Sequence, residues 1–369
     1  LKFSFQSLAK PSLHRITAYQ PGKPIEEVKR ELGVQDVIKL ASNENALGPS
    51  HFALTAAQNA LLQVALYPDG SGYELKDALS QYLGVLPGQI TLGAGSDEVM
   101  AFVAQAFVRP EHEVIISEYA FATYTIIAHL VEANPIIVPA KNWEHDLAAM
   151  AAAITTKTRL VFIANPNNPT GGYIPTETLE CFLKKIPPHV LVISDEAYYE
   201  YVTVDDYPDT LNLQRKYPNL ITTRTFSKIY GLAGLRIGYG ISHPDIAAML
   251  ERVRLPFNLS IPALAAAYAA LQDQVHVQRT LAMTQQGLTR LKQGLDRLGL
   301  HYLPTTANFL LVDLKRPVLP IHAALLNEGV IIRPLANYGM PECLRVTAGL
   351  PEENERFLNA IEKVLGASL

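Results

Sequence analysis

Residues 222–240 read TTRTFSKIYGLAGLRIGYG, and the rest of the chain is best understood from this stretch outward. It places one lysine, Lys228, between the small hydroxyl residues Thr225 and Ser227 and a glycine-rich run that ends in a lone arginine, Arg236. A lysine that reacts with an aldehyde must be partly desolvated or close to another cation, so that its free amine is available near neutral pH. Hydroxyls and a planar guanidinium nearby suit a phosphate dianion, which takes several short, charge-assisted hydrogen bonds. Together they describe a pocket for a phosphorylated aldehyde. A single lysine is more often a solvated surface residue. This one sits among Gly231, Gly234, Gly238 and Gly240, small residues expected to let backbone approach a ligand.

The composition sets bounds on function. A chain of 369 residues, 49% hydrophobic and 18% charged, fits a soluble globular protein with a large core and two domains. Thirty-one basic residues against 35 acidic leave a net charge of −4, without the basic excess of a nucleic-acid binder. No apolar run is long enough to span a bilayer, and the first residues lack the pattern of a signal peptide, so the expected location is cytoplasmic. Cys181 and Cys343 are far apart and form no CxxC motif. Cys181 falls in TETLECFLKKI, where helical spacing predicts a helix residue near the core. The histidines are scattered and suggest no metal site.

From the start, prolines 11, 21 and 24 predict an extended arm leading into a short helix at PIEEVKREL. A polar loop follows with Asn43, Glu44 and Asn45, then a helix over 50–64 and the loop of Tyr67. QITLGAGSDEVMAFVAQAFV reads as strand, glycine turn and helix, with Ser96 or Asp97 as the expected N-cap. Such a helix start, with free N–H groups and a positive dipole end, suits an anion. Further apolar strands lead into Phe121, into Asn168 of NPNNPTGG, and into Asp195 of SDEAYYEY. Repeated strand, loop and helix units predict an α/β domain with a mostly parallel central sheet, and ligands sit beyond the carboxyl ends of such strands. After Pro256 long Ala/Leu/Gln helices precede strands at NFLLVDL, GVIIRPL and CLRVTAG, which predicts a smaller α+β domain. The expected division is an N-terminal arm and part of the small domain over 1–45, a large domain over 46–256, and the small domain over 257–369.

Pyridoxal 5′-phosphate asks for this combination: a lysine for its aldehyde, a carboxylate for its ring nitrogen, donors to its phenolate oxygen, a ring to stack on and a phosphate cradle. The ordered set GAGSDE, YAFATY, NPNNPTG, DEAYYEY and TFSKIYGLAGLRIGY, closing with GVIIRPL and MPECLRVTAG, resembles the fold-type I pyridoxal-phosphate aminotransferases. Within them it is most similar to the histidinol-phosphate aminotransferases. The resemblance runs from ITAYQPG to the last strand, and its motifs are jointly specific.

The resemblance implies roles for individual residues. Lys228 matches the lysine that binds the cofactor aldehyde and then serves as general base. Asp195 matches the partner of the ring nitrogen, Asn168 and Tyr198 the donors to the phenolate oxygen, and Phe121 the stacking ring. Gly95, Ser96, Asp97, Thr225, Ser227 and Arg236 match the phosphate cup. Tyr67 matches a tyrosine that reaches this phosphate from a second copy, which implies a homodimer with a shared active site. Arg345 matches the clamp for a substrate carboxylate or phosphate, with Arg333, Tyr19 and Asn43 at other substrate-side positions. Ala46 stands where the family has a proline. The implied reaction is transamination between histidinol phosphate or imidazole acetol phosphate and glutamate or 2-oxoglutarate. An aromatic amino-acid aminotransferase would carry the same cofactor residues. A regulatory domain that has lost catalysis would need a DNA-binding module, for which the arm is too short, and a lyase or decarboxylase would differ in which bond lies perpendicular to the ring.

Overall fold

The structure is a computed structural model that describes residues 5–18 and 22–366. In chain order its strands are β1 (Ile38–Lys39), β2 (Ile90–Gly93), β3 (Glu113–Ser117), β4 (Asn134–Val138), β5 (Thr158–Ala164), β6 (Leu191–Asp195), β7 (Leu220–Thr225), β8 (Gly238–Ile241), β9 (His301–Tyr302), β10 (Phe309–Asp313), β11 (Val330–Ile331), β12 (Arg333–Pro334) and β13 (Cys343–Thr347). Among the described residues they form a large sheet in the order β2-β8-β7-β6-β5-β3-β4, a small sheet β12-β13-β10-β9, and the pair β1-β11. In the large sheet β7, β6, β5, β3 and β4 run parallel, and β8 is antiparallel to both its neighbours. This is the mostly parallel α/β arrangement expected from the alternating units.

Both faces of this sheet are covered, which is why its strands read as continuous apolar runs. Along β5, Leu160 and Phe162 pack with Val99, Val103 and Ile127 on one face. The alternate residues Val161 and Ile163 pack with Met150, Leu179 and Phe182 on the other. Residues two apart share a face, so one strand feeds two cores. Beside it, β8 brings Gly238 against the helix Ser96–Phe107: a Cβ there would lie 2.5 Å from the Ser96 nitrogen. Gly238 therefore serves helix-to-sheet packing, where the sequence suggested approach to a ligand.

Other local expectations are corrected. The arm is not extended throughout: it forms 3₁₀ turns at Phe5–Leu8 and Pro11–Arg15, the second with Pro11 at its start, where a missing N–H costs nothing, and only then turns extended at Ile16. The helix expected over 50–64 is capped by Ser50, runs His51–Ala60 and tightens to a 3₁₀ turn at Leu61–Gln63. Cys181 lies on the helix Thr176–Leu183 but is exposed, because Leu179, Phe182 and Leu183 take the inward face.

The stretch after Pro256 keeps its earlier partners at first. The alanines of the helix Ile261–Gln272 share a core with Leu75, Leu79 and Leu92. The helix Gln274–Arg297 begins in that core with Val277 and ends, through Leu288, Leu291 and Leu295, in the core of the small sheet. We propose that the division between the two units falls within this helix, beyond the residue 256 suggested by composition. On this proposed division the N-terminal segment goes with the smaller unit, since β1 pairs with β11 and Val28 packs with Leu326 and Ile331. Among the described residues no helix is long and apolar enough to cross a membrane.

Candidate active site

Strands β5, β6 and β7 bring Ala164, Asp195 and Thr225 to one cavity. It is lined also by Asn43, Ser96, Asp97, Phe121, Asn168, Tyr198, Ser227, Lys228, Arg236, Arg333 and Arg345. These are most of the residues expected from the sequence. Gly95 is not itself in the lining but precedes Ser96, which is. Tyr67 does not reach it: the ring is 80% exposed and stacks on Phe257 at 4.7 Å. Tyr19 lies outside the described residues.

Asp195 ends β6 and is buried. Its Oδ2 accepts a hydrogen bond from the Tyr124 hydroxyl at 2.7 Å, and its Oδ1 one from Thr223 at 3.2 Å. Burial pushes its carboxyl up to about 6, an effect the Tyr124 hydrogen bond opposes and nearby Asp97 adds to. A buried carboxylate at a cavity wall is costly unless something positive faces it, which suits a protonated ring nitrogen. Tyr198 is held by Asn43, whose Nδ2 donates to the phenol oxygen at 2.8 Å, and burial pushes the phenol up to about 12. It is a donor at any physiological pH.

Lys228 follows β7. Its Nζ lies 5.7 Å from the centre of the Tyr198 ring and donates to the Ser42 carbonyl at 3.3 Å. Below it the anion cup closes. Arg236 donates to the Ser227 hydroxyl at 3.2 Å and to the Ala94 carbonyl at 3.4 Å. The expected cap residues are displaced by one: Gly95 is the N-cap, and Ser96 is already the first helical residue. Gly95 has a φ of +87°, and a Cβ on it would lie 2.6 Å from the Arg236 guanidinium. Only glycine combines that conformation with that approach. The cup therefore offers free first-turn N–H groups, two hydroxyls and a guanidinium to one dianion.

The sequence matches the family described as aminotransferase class I and II over residues 35–361. The chain belongs to that family. Among curated relatives, histidinol-phosphate aminotransferase 1 of Nitrosococcus oceani is 53% identical, with 98% of each chain covered. The enzyme of the same name from Thiobacillus denitrificans is 51% identical, over 98% of this chain and 94% of that one. A solved histidinol-phosphate aminotransferase from Sinorhizobium meliloti, in complex with pyridoxal 5′-phosphate, superposes with a TM-score of 0.91 at 29% identity, covering 98% and 99% of the two chains. The cofactor of this aminotransferase is pyridoxal 5′-phosphate, and the carboxylate, the lysine and the anion cup described above fit it.

In the same cavity, Arg333 of β12 and Arg345 of β13 stand directly opposite in register, both buried. Like charges so placed repel, and an anion between them relieves the repulsion. Arg345 donates to Asn168 Oδ1 and, at 2.7 Å, to the Ala41 carbonyl. Binding the Asn168 oxygen leaves the amide NH₂ as the end that can donate to a ligand. In the loop of Ala46, Asn45 Nδ2 donates to the Ile229 carbonyl at 2.8 Å and its Oδ1 accepts from the Leu47 N–H at 2.9 Å. These side-chain bonds tie the loop to the Lys228 turn.

The sequence reading missed the residues that hold the site residues in place. Tyr124 and Thr223 fix Asp195; Thr347 and Asn308 hold Asn43, by bonds of 3.1 Å to its Oδ1 and carbonyl oxygen. Thr223 was findable, since it shares a strand face with Thr225. Tyr124, three residues beyond Phe121 and in the first turn of the helix Thr123–Leu130, gave only the signal of a second aromatic close to Phe121.

Proposed function

We propose that this aminotransferase exchanges an amino group between the pair imidazole acetol phosphate and histidinol phosphate and the pair glutamate and 2-oxoglutarate, as a step of histidine biosynthesis. The observation that carries this reading is the facing pair Arg333 and Arg345. A phosphate monoester dianion can engage two guanidiniums, and the carboxylates of glutamate can use the same pair in the second half of the exchange. An aromatic amino acid offers one carboxylate, where the phosphate ester brings a dianion that suits two guanidiniums. The names of the relatives support the same choice.

When bound, pyridoxal 5′-phosphate supplies an aldehyde that takes the amino group and a ring that takes up the electrons left at the substrate's α-carbon. Asp195 would keep the ring nitrogen protonated, and Asn168 and Tyr198 would donate to the phenolate oxygen. Phe121, edge-on to Tyr124 with centroids 5.9 Å apart, would hold the ring plane. Ser96, Thr225, Ser227 and Arg236 would bind the phosphate. Lys228 would carry a proton between the α-carbon and the cofactor's C4′. The test is a titration of the loaded protein with histidinol phosphate, tyrosine, phenylalanine and glutamate while the cofactor's absorption band is followed. Histidinol phosphate is expected to discharge the band at far lower concentration than the aromatic amino acids; the reverse order would transfer the assignment to an aromatic aminotransferase.

We further propose that the working form is a homodimer in which Tyr67 completes the partner's phosphate cup. Leu62, Val64 and Leu66 beside it are 89%, 61% and 68% exposed, more clustered apolar surface than a monomer usually leaves open. Mixing Tyr67→Phe with Lys228→Ala protein should therefore restore activity above either parent, because the mixed dimer holds one unaltered site. Activity no greater than that of the unmixed variants would refute sharing.

A further inference from the structure

Directly behind the cofactor side of the sheet lies a buried ion pair that the proposed chemistry does not use. Glu196 and Arg224 are 0% and 3% exposed. The guanidinium donates to Glu196 Oε2 from Nε at 2.9 Å and approaches it through Nη2 at 2.8 Å. The other carboxylate oxygen, Oε1, accepts from Thr210 at 2.6 Å and from Ser194 at 3.4 Å. The Arg224 guanidinium also lies over the Tyr199 ring, 3.4 Å from its centre. Replacing a buried ion pair by packed apolar groups is often neutral or stabilising. Stability alone therefore gives little reason for this one, and its position becomes the informative feature.

That position follows from strand geometry. Asp195 pairs with Thr223 in the parallel register of β6 and β7, and the Glu196 N–H donates to the Thr223 carbonyl at 2.8 Å. Successive side chains point to opposite faces. The Asp195 and Thr223 side chains meet on the cavity face, and Glu196 and Arg224 meet behind it. Three members of the hidden cluster are each one residue from a cavity residue: Glu196 from Asp195, Arg224 from Thr225, Tyr199 from Tyr198. We propose that Glu196 and Arg224 are positioning residues, whose ion pair ties the ends of β6 and β7 together and so fixes the aim of Asp195 and Thr225 at the cofactor. The proposal rests on the cofactor roles given above for those two residues.

The experiment compares Arg224→Lys, which keeps the charge but loses the fork, and Thr210→Val, which removes only the hydroxyl that steadies Glu196. Asp195→Asn is run beside them. Cofactor affinity is read on the empty protein from quenching of Trp143, the single tryptophan, which stacks on Tyr119 at 5.4 Å; kcat and KM are read on the loaded protein. For Arg224→Lys the cofactor should dissociate at least tenfold more readily. Its kcat should fall about 10- to 100-fold, the scale of a misplacement near 1 Å, with KM for glutamate close to the parent value. Thr210→Val should shift both quantities in the same direction by less. Folded variants that keep parental cofactor affinity and kcat, and lose only melting temperature, would overturn the positioning role. If Arg224→Lys does not fold, Thr210→Val decides alone. Unaltered cofactor affinity in Asp195→Asn would instead overturn the underlying site assignment, so the two failures are separable.

Discussion

Lys228→Ala is expected to lower the transamination rate by about 10⁴-fold or more, since on the proposed roles it removes both the amine that receives the cofactor and the base that moves the proton. The loss should be chemical. Lys228 is only half-buried, and its turn is held by backbone, with the Gly231 N–H donating to the Lys228 carbonyl at 2.9 Å. Gly231 is itself pressed on the next loop, where a Cβ would meet the Gly48 carbonyl carbon at 2.5 Å. The turn should therefore survive truncation of the side chain, and the melting temperature of the empty protein should stay within a few degrees of the parent. The anion cup is built from Arg236, Ser227 and the helix start, so the cofactor should still bind, more weakly and without its characteristic absorption band. A variant that retained both that band and parental turnover would remove Lys228 from the mechanism.

The sequence stated the site residues more fully than it stated what holds them. Lys228, Asp195 and Asn168 each follow an apolar run, and a parallel sheet brings such run ends to one edge. That inference needs only local pattern. The bonds that orient the same residues join distant positions: Asn43 to Tyr198 across 155 residues, Arg345 to Asn168 across 177. Spacing along the chain carries no signal for such pairs. Glu196 and Arg224 show a second limit, because each is a charged residue beside a cavity residue and reads as part of the same motif. Strand alternation turns them to the opposite side, where they meet each other. Tyr67 shows a third: its expected partner would lie on another copy, and within one chain it is an exposed ring. The cap at Gly95 was missed by one position, since a side-chain cap at Ser96 looked sufficient while the approach of Arg236 demanded glycine.

Asp195→Asn should move the empty and the loaded protein in opposite directions. In the empty protein the buried carboxyl is pushed up to about 6 from an ordinary 3.8. A folded-state value above the unfolded one means that folding pays to ionise the group, so the penalty is absent below the unfolded value and complete once the pH exceeds about 6. Its size is on the order of 3 kcal/mol at neutral pH. Asparagine keeps an acceptor for Tyr124 and turns an NH₂ to the Thr223 hydroxyl, which can accept, without the charge. The empty variant should therefore melt higher than the parent at pH 7.5 and nearly the same at pH 4. With the cofactor present the balance reverses, because the amide cannot neutralise a protonated ring nitrogen, and breaking a buried pair costs about 3–5 kcal/mol. Cofactor affinity at pH 7.5 should then fall about 10²- to 10³-fold. In the parent, affinity should weaken as the pH drops through about 6 and Asp195 takes up its proton, whereas the variant should lack that step. Thermal melts of both proteins, empty and loaded, at the two pH values test this. A variant that is less stable than the parent when empty at pH 7.5, or that binds the cofactor as tightly, would show that Asp195 is not a carboxylate held at an energetic cost for the cofactor's ring.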